Sequence, residues 1–493
     1  MAWMMEINTG ANDKAEVRIE LVFNDGEYAP SLPLSAKMKE RGAQTWFYGR
    51  SAGEQDILII GLGARERFGM EVLREAAGNA GRAIQDLGRE TAEVNPACLQ
   101  DLFGAEAWPE EAVSAWTEGW ELGTYTFHKY KTSAQKQPVK RVRLSPESRE
   151  EELPAAEIGR MRAAATSLAR DLCNEAASDL NPSAFVERIR QVFAGRNVKL
   201  AVYQGEELKQ RQMNGLLAVG AGSKHPPAMV EISYEGDPDA EHLALVGKGI
   251  TFDMGGMNLK DARDLSDARF DMGGAAAVIG AMDLLTRLEA KARITAIIPI
   301  ADNVPDGGAF LPSDVVRYPN GLTVQVVNTD AEGRLILADG ILHALRCGAR
   351  HIIDVATLTG AVGHALGLKV AGVWGDDEYT AQLMRIGERN GDRIWRLPLV
   401  DEDEELLSSP YADLANLASN PYGGANMAAL FLRRFVGGKA RWCHIDMANT
   451  VQVPSSRGYK VTGATGYGVR LLADFVIERI AAAEDEGGSR HEA

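Results

Sequence analysis

Residues 320–346 narrow the possible fold more than any other stretch, because they read as a strand, a charged turn and a helix in immediate succession. Leu322-Thr323-Val324-Gln325-Val326-Val327 is a β-branched run opened by Asn320-Gly321, which predicts a strand entered from a hairpin. Asn328-Thr329-Asp330-Ala331-Glu332-Gly333-Arg334-Leu335 follows, and from Ile336 to Leu345 the pattern is that of a helix stopping near Gly348. If the extended backbone persists into the octapeptide, Asp330, Glu332 and Arg334 project to one side, because strand side chains repeat with period two. A blander alternative makes Asp330 and Glu332 caps of the helix, with Arg334 as their solvated counter-ion. Charged turns between a strand and a helix are where α/β proteins place their chemistry.

The rest of the chain repeats that alternation. Val198–Tyr203 is a strand, and strands and helices then alternate, which predicts a parallel or mixed sheet flanked by helices. A length of 493 residues favours two domains. Residues 1–150 form the first: Val17–Phe23 alternates as a strand before a turn at Asp25-Gly26, Asp56–Gly63 is a buried strand, and Met70–Leu87 is a helix. Gly61-Leu62-Gly63 lacks the third glycine of a dinucleotide fingerprint and is read as a structural turn. Residues 145–152 serve as a linker, and a helix over Ala155–Cys173, within a linker segment 151–178, bridges to a larger domain, 179–493. A further helix starts at Pro182-Ser183, and the tail from Ala483 is expected to fray.

Charge and cysteine content exclude several classes. The net charge is −16 and no dense run of Lys and Arg is present, which argues against a nucleic-acid surface. Cys98, Cys173, Cys347 and Cys443 form no CxxC pair and read as free, mostly buried thiols of a reducing compartment. Met1–Glu6 lacks the pattern of a signal peptide, and no run approaches the ~20 apolar residues needed to span a bilayer. A cytoplasmic protein is expected.

A second acidic cluster lies upstream. His242–Asp253 starts as a buried strand yet carries Lys248, and a buried lysine must lose its proton or find a partner. Asp253 precedes Met254-Gly255-Gly256, Lys260 follows, and Asp271 opens a helix to about Leu288, where its simplest role is a cap. Brought into one cleft, Asp253, Asp271, Asp330 and Glu332 would repel each other unless cations lie between them. Two divalent metals roughly 3.5–4 Å apart would satisfy them and acidify a shared water.

These segments resemble the leucyl aminopeptidases, also called cytosol aminopeptidases. The octapeptide 328–335 is that family's signature, and VGKGITFD at 246–253, DMGGAA at 271–276, DVATLTGA at 354–361 and GATGYGVR at 463–470 accompany it. Ser409–Leu414 and the stretch from Gly423-Gly424 to Phe431-Leu432 resemble later segments, whereas the N-terminal module matches only through Gly61-Leu62-Gly63 and Tyr130-Lys131. The resemblance implies an N-terminal macro-like α/β module and a catalytic α/β domain, assembled as a homohexamer acting on peptides. It implies a tighter metal on Lys248, Asp253, Asp271 and Glu332 and a more exchangeable one on Asp253, Asp330 and Glu332, either zinc or manganese. Lys260 and Arg334 would be catalytic, with bicarbonate at Arg334, and Asn328, Thr357, Gly360 and Ala268 would contact substrate.

The chain also departs from the family. Met254 stands where Ser or Thr is common, Ala268 replaces a pocket methionine, and Ala448-Asn449 replaces Ala-Gly. Ala268 widens the first pocket unless Met254 or Asn449 refills it. His343, His351 and His364 are read as core or surface residues without partners, and Met427, Phe431 and Phe435 as core. Two other functions compete: a mainly binding member, for example one that acts on DNA, and another carboxylate-bridged hydrolase such as a phosphatase.

Overall fold

The structure, a computed structural model, describes residues 14–25, 32–51, 53–95, 97–103, 108–133, 139–144, 153–260 and 265–491. Met1–Glu6, Gly26 of the expected turn and the expected linker 145–152 lie outside them. The chain divides into two compact units, Met1–Ser167 with Val453–Gly463, and Leu168–Gln452 with Ala464–Ala493.

In the first unit, strands β1 (Val17–Phe23), β2 (Gln44–Phe47), β3 (Asp56–Gly63), β4 (Thr91–Asn95) and β5 (Arg141–Arg143) form a sheet ordered β2-β3-β1-β4-β5. All neighbours are parallel except β2 on β3. Helices α1 (Met70–Asp86), α2 (Ala97–Phe103) and α3 (Glu110–Thr124) accompany it, and Ile19, Leu58 and Ile60 share a core with Leu73, Ala77, Trp116 and Trp120. The Gly61-Leu62-Gly63 segment is not a turn but the end of β3. A Cβ at Gly61 would lie 2.2 Å from the Glu40 carbonyl oxygen, so the glycine is there to let a neighbouring backbone pass.

Helix α4 (Leu153–Asn174) contains the boundary between the units. In the second unit α5 (Pro182–Phe193) is capped by Asn181, whose side chain accepts from the Ala184 N–H, one residue before the expected start signal. Next come β6 (Lys199–Gln204), α6 (Glu206–Gln210), α7 (Asn214–Val219), β7 (Ala228–Glu235), β8 (His242–Gly247) and β9 (Gly249–Asp253). The single strand expected over 242–253 is therefore two, interrupted at Lys248, and both pieces pair parallel with β10 (Arg293–Asn303). Between β9 and β10 lies α8 (Gly273–Arg287).

The hairpin of β11 (Val315–Arg317) and β12 (Thr323–Gln325) forms as expected, with Gly321 at φ +94. Helix α9 (Gly333–Arg346) follows, then β13 (His351–Ala356), α10 (Gly360–Leu366), β14 (Ala371–Gly375), α11 (Asp377–Asn390) and β15 (Ile394–Arg396). The chain continues through β16 (Leu414–Ala415), α12 (Gly424–Val436), β17 (Arg441–Asp446) and α13 (Val469–His491). The tail expected to fray from Ala483 instead continues α13.

The main sheet runs β15-β14-β17-β13-β8-β10-β7-β6, with β9 also on β10. Its middle, β17-β13-β8-β10, is parallel, and β7 and β14 join antiparallel on either side. Helices cover both faces of β8. A Cβ at Gly340 of α9 would meet the Val246 side chain, whereas one at the neighbouring Gly247 would meet Ala275 of α8. A mixed α/β sheet flanked by helices, the expected class, is what the second unit contains. Met427, Phe431 and Phe435 of α12 are core residues as expected. Among the described residues no helix is long and apolar enough to cross a membrane.

Candidate active site

The parallel strands end on one side of the sheet, and their C-terminal ends deliver polar residues to a single crevice. Lys248 follows β8, Asp253 ends β9, Asn303 ends β10, Thr357 follows β13 and Asp446 ends β17. The break at Lys248 is stapled through its backbone: its N–H donates to Val355 of β13, and its carbonyl accepts from Ala275 of α8. Thus anchored, the side chain is 2% exposed, and its Nζ lies 2.7 Å from Asp271, 2.8 Å from Glu332 and 3.0 Å from the Thr357 carbonyl oxygen. Burial acts to lower the Lys248 pKa, but Asp271, Glu332 and Asp253 together overcome it and raise it, so the ammonium stays charged.

The opposite wall is formed by the octapeptide, and its geometry differs from the expected one. Strand β12 ends at Gln325, residues 329–330 form a turn, and Glu332 adopts helical angles, φ −75 and ψ −36, at the N-cap position of α9. Alternation along a strand therefore does not align Asp330, Glu332 and Arg334. A tight turn and the first turn of a helix do. The capping alternative fails too, because Glu332 makes no side-chain cap hydrogen bond and no acidic residue occupies the first turn of α9. Asp271 likewise does not cap α8. Met272 holds that position, and Asp271 lies in a 3-10 turn, accepting from Lys248 and from the Thr357 hydroxyl at 2.8 Å.

Two loops are knotted together to hold the acids. Thr329 Oγ1 donates to the Gly255 carbonyl oxygen at 2.6 Å and accepts from the Asn258 N–H at 2.8 Å. Asn328 Oδ1 accepts from the Asp330 N–H, closing the turn that presents that carboxylate. Asn303 Nδ2 reaches Asp253 at 2.9 Å, the Thr329 carbonyl at 3.0 Å and Glu332 at 3.3 Å. Lys260 Nζ bridges Asp253, at 2.8 Å, and Asp330. Asp253, Asp330 and Glu332 each offer an oxygen within 4.8 Å of the others. Burial leads in raising the pKa of Asp271, Asp330 and Glu332, and neighbouring carboxylates push the same way.

Arg334, 5% exposed, leaves Nε and one Nη without a hydrogen-bond partner, and burial lowers its pKa to about 10. Buried donors left unsatisfied in this way call for an acceptor. All eleven residues singled out from the sequence line or adjoin one cavity of about 450 Å³. Ala268 is buried on its wall and Gly360 is exposed at its mouth. Neither Met254 nor Asn449 refills the space beside Ala268. The Asn449 amide is committed to the Gly367 and Val370 carbonyls, and the apolar wall comes from Phe270, Ala448 and Val451. Sequence reading passed over Asn303 and Asp446, whose common signal is a polar residue ending a buried apolar strand. It also missed that His343 lies 2.7 Å from Glu231 and that His351 bonds Tyr379, whereas His364, read as either core or surface, is exposed.

Oxygen donors from several loops, gathered at the C-terminal ends of parallel strands, are the equipment of a metallohydrolase. Comparison with known proteins agrees. Residues 167–473 match the model of the cytosol aminopeptidase family catalytic domain, and residues 40–134 match that of the family's N-terminal domain. A probable cytosol aminopeptidase of Geotalea uraniireducens is 39% identical over 445 residues, covering 87% of this chain and 86% of that protein. One of Geobacter sulfurreducens is 39% identical over 438 residues, with 87% and 86% covered. Among solved structures, the bottromycin maturation enzyme BotP in complex with Mn superposes with a TM-score of 0.84 at 33% identity, covering 94% of this chain and 99% of its own. The chain belongs to the cytosol aminopeptidase family, which makes it a metal-dependent aminopeptidase.

Proposed function

We propose that this protein removes the N-terminal residue, leucine or another largely apolar one, from peptides, using two divalent ions. The observation that carries the reading is the gathering of Asp253, Asp271, Asp330 and Glu332 around Lys248 and Lys260 in one cavity. A set of carboxylate oxygens suits hard cations, manganese included, and zinc also accepts it. Asp253, Asp271 and Glu332 would hold one ion, joined by Lys248 once its ammonium gives up a proton to leave a free amine, and Asp253, Asp330 and Glu332 would hold the other. Bound there, the pair supplies Lewis acidity and a water acidified at neutral pH.

The chain's own groups do the rest. Lys260, half-buried, keeps its charge because Asp253 and Asp330 outweigh the effect of burial, and it presents an ammonium to the developing oxyanion. Arg334 would hold bicarbonate on its unpaired N–H groups, and the anion would supply general acid–base chemistry beside the leaving amine. Asn328, Thr357 and Gly360 contact the substrate backbone, and Ala268, Phe270 and Val451 receive the first side chain. A homohexamer with inward-facing sites is part of this reading. Hydrolysis of leucyl-p-nitroanilide, abolished by a chelator and restored by manganese, is the expected result. Absence of amide hydrolysis with every divalent metal tried would overturn the reading in favour of a binding role, and hydrolysis of phosphate esters instead would favour a phosphatase.

A further inference from the structure

The far end of α9 carries a second group of ligand-type side chains that the peptidase chemistry does not use. His343 lies in the last turn of the helix and Cys347 is its C-cap, and a spacing of four places both on one face. Glu231, from β7, meets them. His343 Nε2 and Glu231 Oε2 are 2.7 Å apart, Cys347 Sγ is 3.7 Å from Oε2 and 3.8 Å from Nε2, and all three donors lie within 4.8 Å of one another. Helix α9 spans Gly333 to Arg346, about 21 Å at 1.5 Å per residue, so this cluster is remote from the carboxylates at its N-terminus.

We propose that Glu231, His343 and Cys347 form a third metal site, one that takes a thiophilic divalent ion of the zinc class. A tetrahedral zinc with its usual bond lengths holds sulfur about 3.6 Å from a nitrogen or oxygen ligand, and two sides of the triangle are already close to that. The third side, the His343–Glu231 hydrogen bond, must open by about 0.7 Å, within the reach of side-chain rotation. Thiolate with imidazole selects zinc over manganese, the reverse of the preference of the carboxylate-lined cavity. The negative end of the helix dipole favours a cation at this position.

The surroundings allow an ion in. Glu231 and Cys347 are half-buried, and the Tyr203 hydroxyl, 3.1 Å from Glu231, or a water can complete the coordination. The positive groups nearby are Arg211, whose guanidinium stacks 3.8 Å over the Tyr203 ring, and Arg346, which donates to the Arg211 carbonyl. Burial, with Glu231 adding to it, pushes the Cys347 thiol up to about 12, so it is protonated when no ion is bound. Binding then exchanges one metal for one proton: the S–H bond breaks, the proton leaves to solvent, and a metal–sulfur bond forms. With no ion bound, His343 Nε2–H donates to the Glu231 carboxylate; binding through Nε2 breaks that bond and moves the ring proton to Nδ1, which has no hydrogen-bond partner of its own.

Cobalt(II) is the probe, because a thiolate ligand gives a near-ultraviolet sulfur-to-cobalt charge-transfer band that oxygen and amine donors cannot produce. Titration of the metal-free full-length chain should develop that band and complete it by three equivalents, two of which fill the carboxylate cavity without contributing to it. Zinc-loaded parent protein should retain one ion per chain more than Cys347→Ser, and that variant should lose the band yet keep its leucyl-p-nitroanilide hydrolysis. Glu231→Gln preserves the shape of the cluster and should weaken cobalt binding at least tenfold. No band in the parent chain, a band that survives Cys347→Ser, or unchanged affinity in Glu231→Gln would each overturn the proposal.

Discussion

Replacing Gly333 by alanine should disable the carboxylate cavity without unfolding the protein. Gly333 is the first residue of α9, and a Cβ there would lie 2.6 Å from Lys248 Cε, 2.7 Å from Nζ and 3.0 Å from Leu358 Cδ1. Ordinary carbon contacts need about 3.5–4.0 Å, so roughly 1 Å must be found. The flexible end of a lysine would normally yield, but this one is fixed by Asp271, Glu332 and the Thr357 carbonyl. Alanine gains about 1 kcal/mol in helix propensity over glycine, while overpacking costs about 1–3 kcal/mol, so global stability changes little. The ammonium, however, shifts by about 1 Å from both carboxylates, and an error of that size in a site costs about 10²-fold in rate. Turnover of leucyl-p-nitroanilide, retained metal and the thermal midpoint should be measured together. A large loss of turnover with a midpoint within a few degrees is expected. Parent-like turnover would refute the reasoning that Lys248 positions the site, and a collapsed midpoint would refute the stability balance.

Glu332→Gln and Lys260→Ala should each lower turnover by at least about 10²-fold with the fold intact by circular dichroism, and near-normal turnover in either would remove that residue from the chemistry. Activity should rise on the alkaline side as the substrate's amino group, with a pKa near 8, sheds its proton, and a rate maximum below about pH 6 would contradict metal-bound amine. Burial raises the Glu121 carboxyl to about 7 from its ordinary 4.5, against a smaller opposing effect of Arg160. Over that interval the folded form binds more protons than the unfolded one, so stability should fall as pH rises from 4.5 to about 7. Glu121→Gln should flatten that slope in denaturant midpoints compared at about pH 5 and about pH 8, and an identical slope in the variant would show that another group is responsible.

Most elements were legible in the sequence because hydrophobic periodicity reports burial directly. The apolar run of β8, the hairpin before α9 and the helical repeats of α8 and α12 are examples. The residues that meet at the cavity were legible through type and order, but the backbone that unites them was not. Period two was extended past Gln325, where the pull of Asn416 and Asn328 side chains on backbone N–H groups turns the chain instead. The break at Lys248 was hidden for a similar reason: its backbone partners, Val355 and Ala275, are far off in the chain. The His343–Cys347 pair was visible as a helical spacing, but its third member, Glu231, lies 112 positions away from His343, and nothing local points to it. Asn303 escaped because an asparagine ending a strand looks like turn chemistry until its three acceptors are known.

The interruption of β8 and β9 at Lys248 also determines how this segment can change. Both pieces are locked to β10 in fixed register, His242 opposite Arg293 and Asp253 opposite Asn303. Gain or loss of one residue within either piece would turn the side chains beyond it to the other face of the sheet, carrying Lys248 or Asp253 away from its partners. Across these twelve positions the protein can tolerate new letters but not a new word length, so an insertion–deletion scan should find a dead zone here beside freely lengthened surface loops.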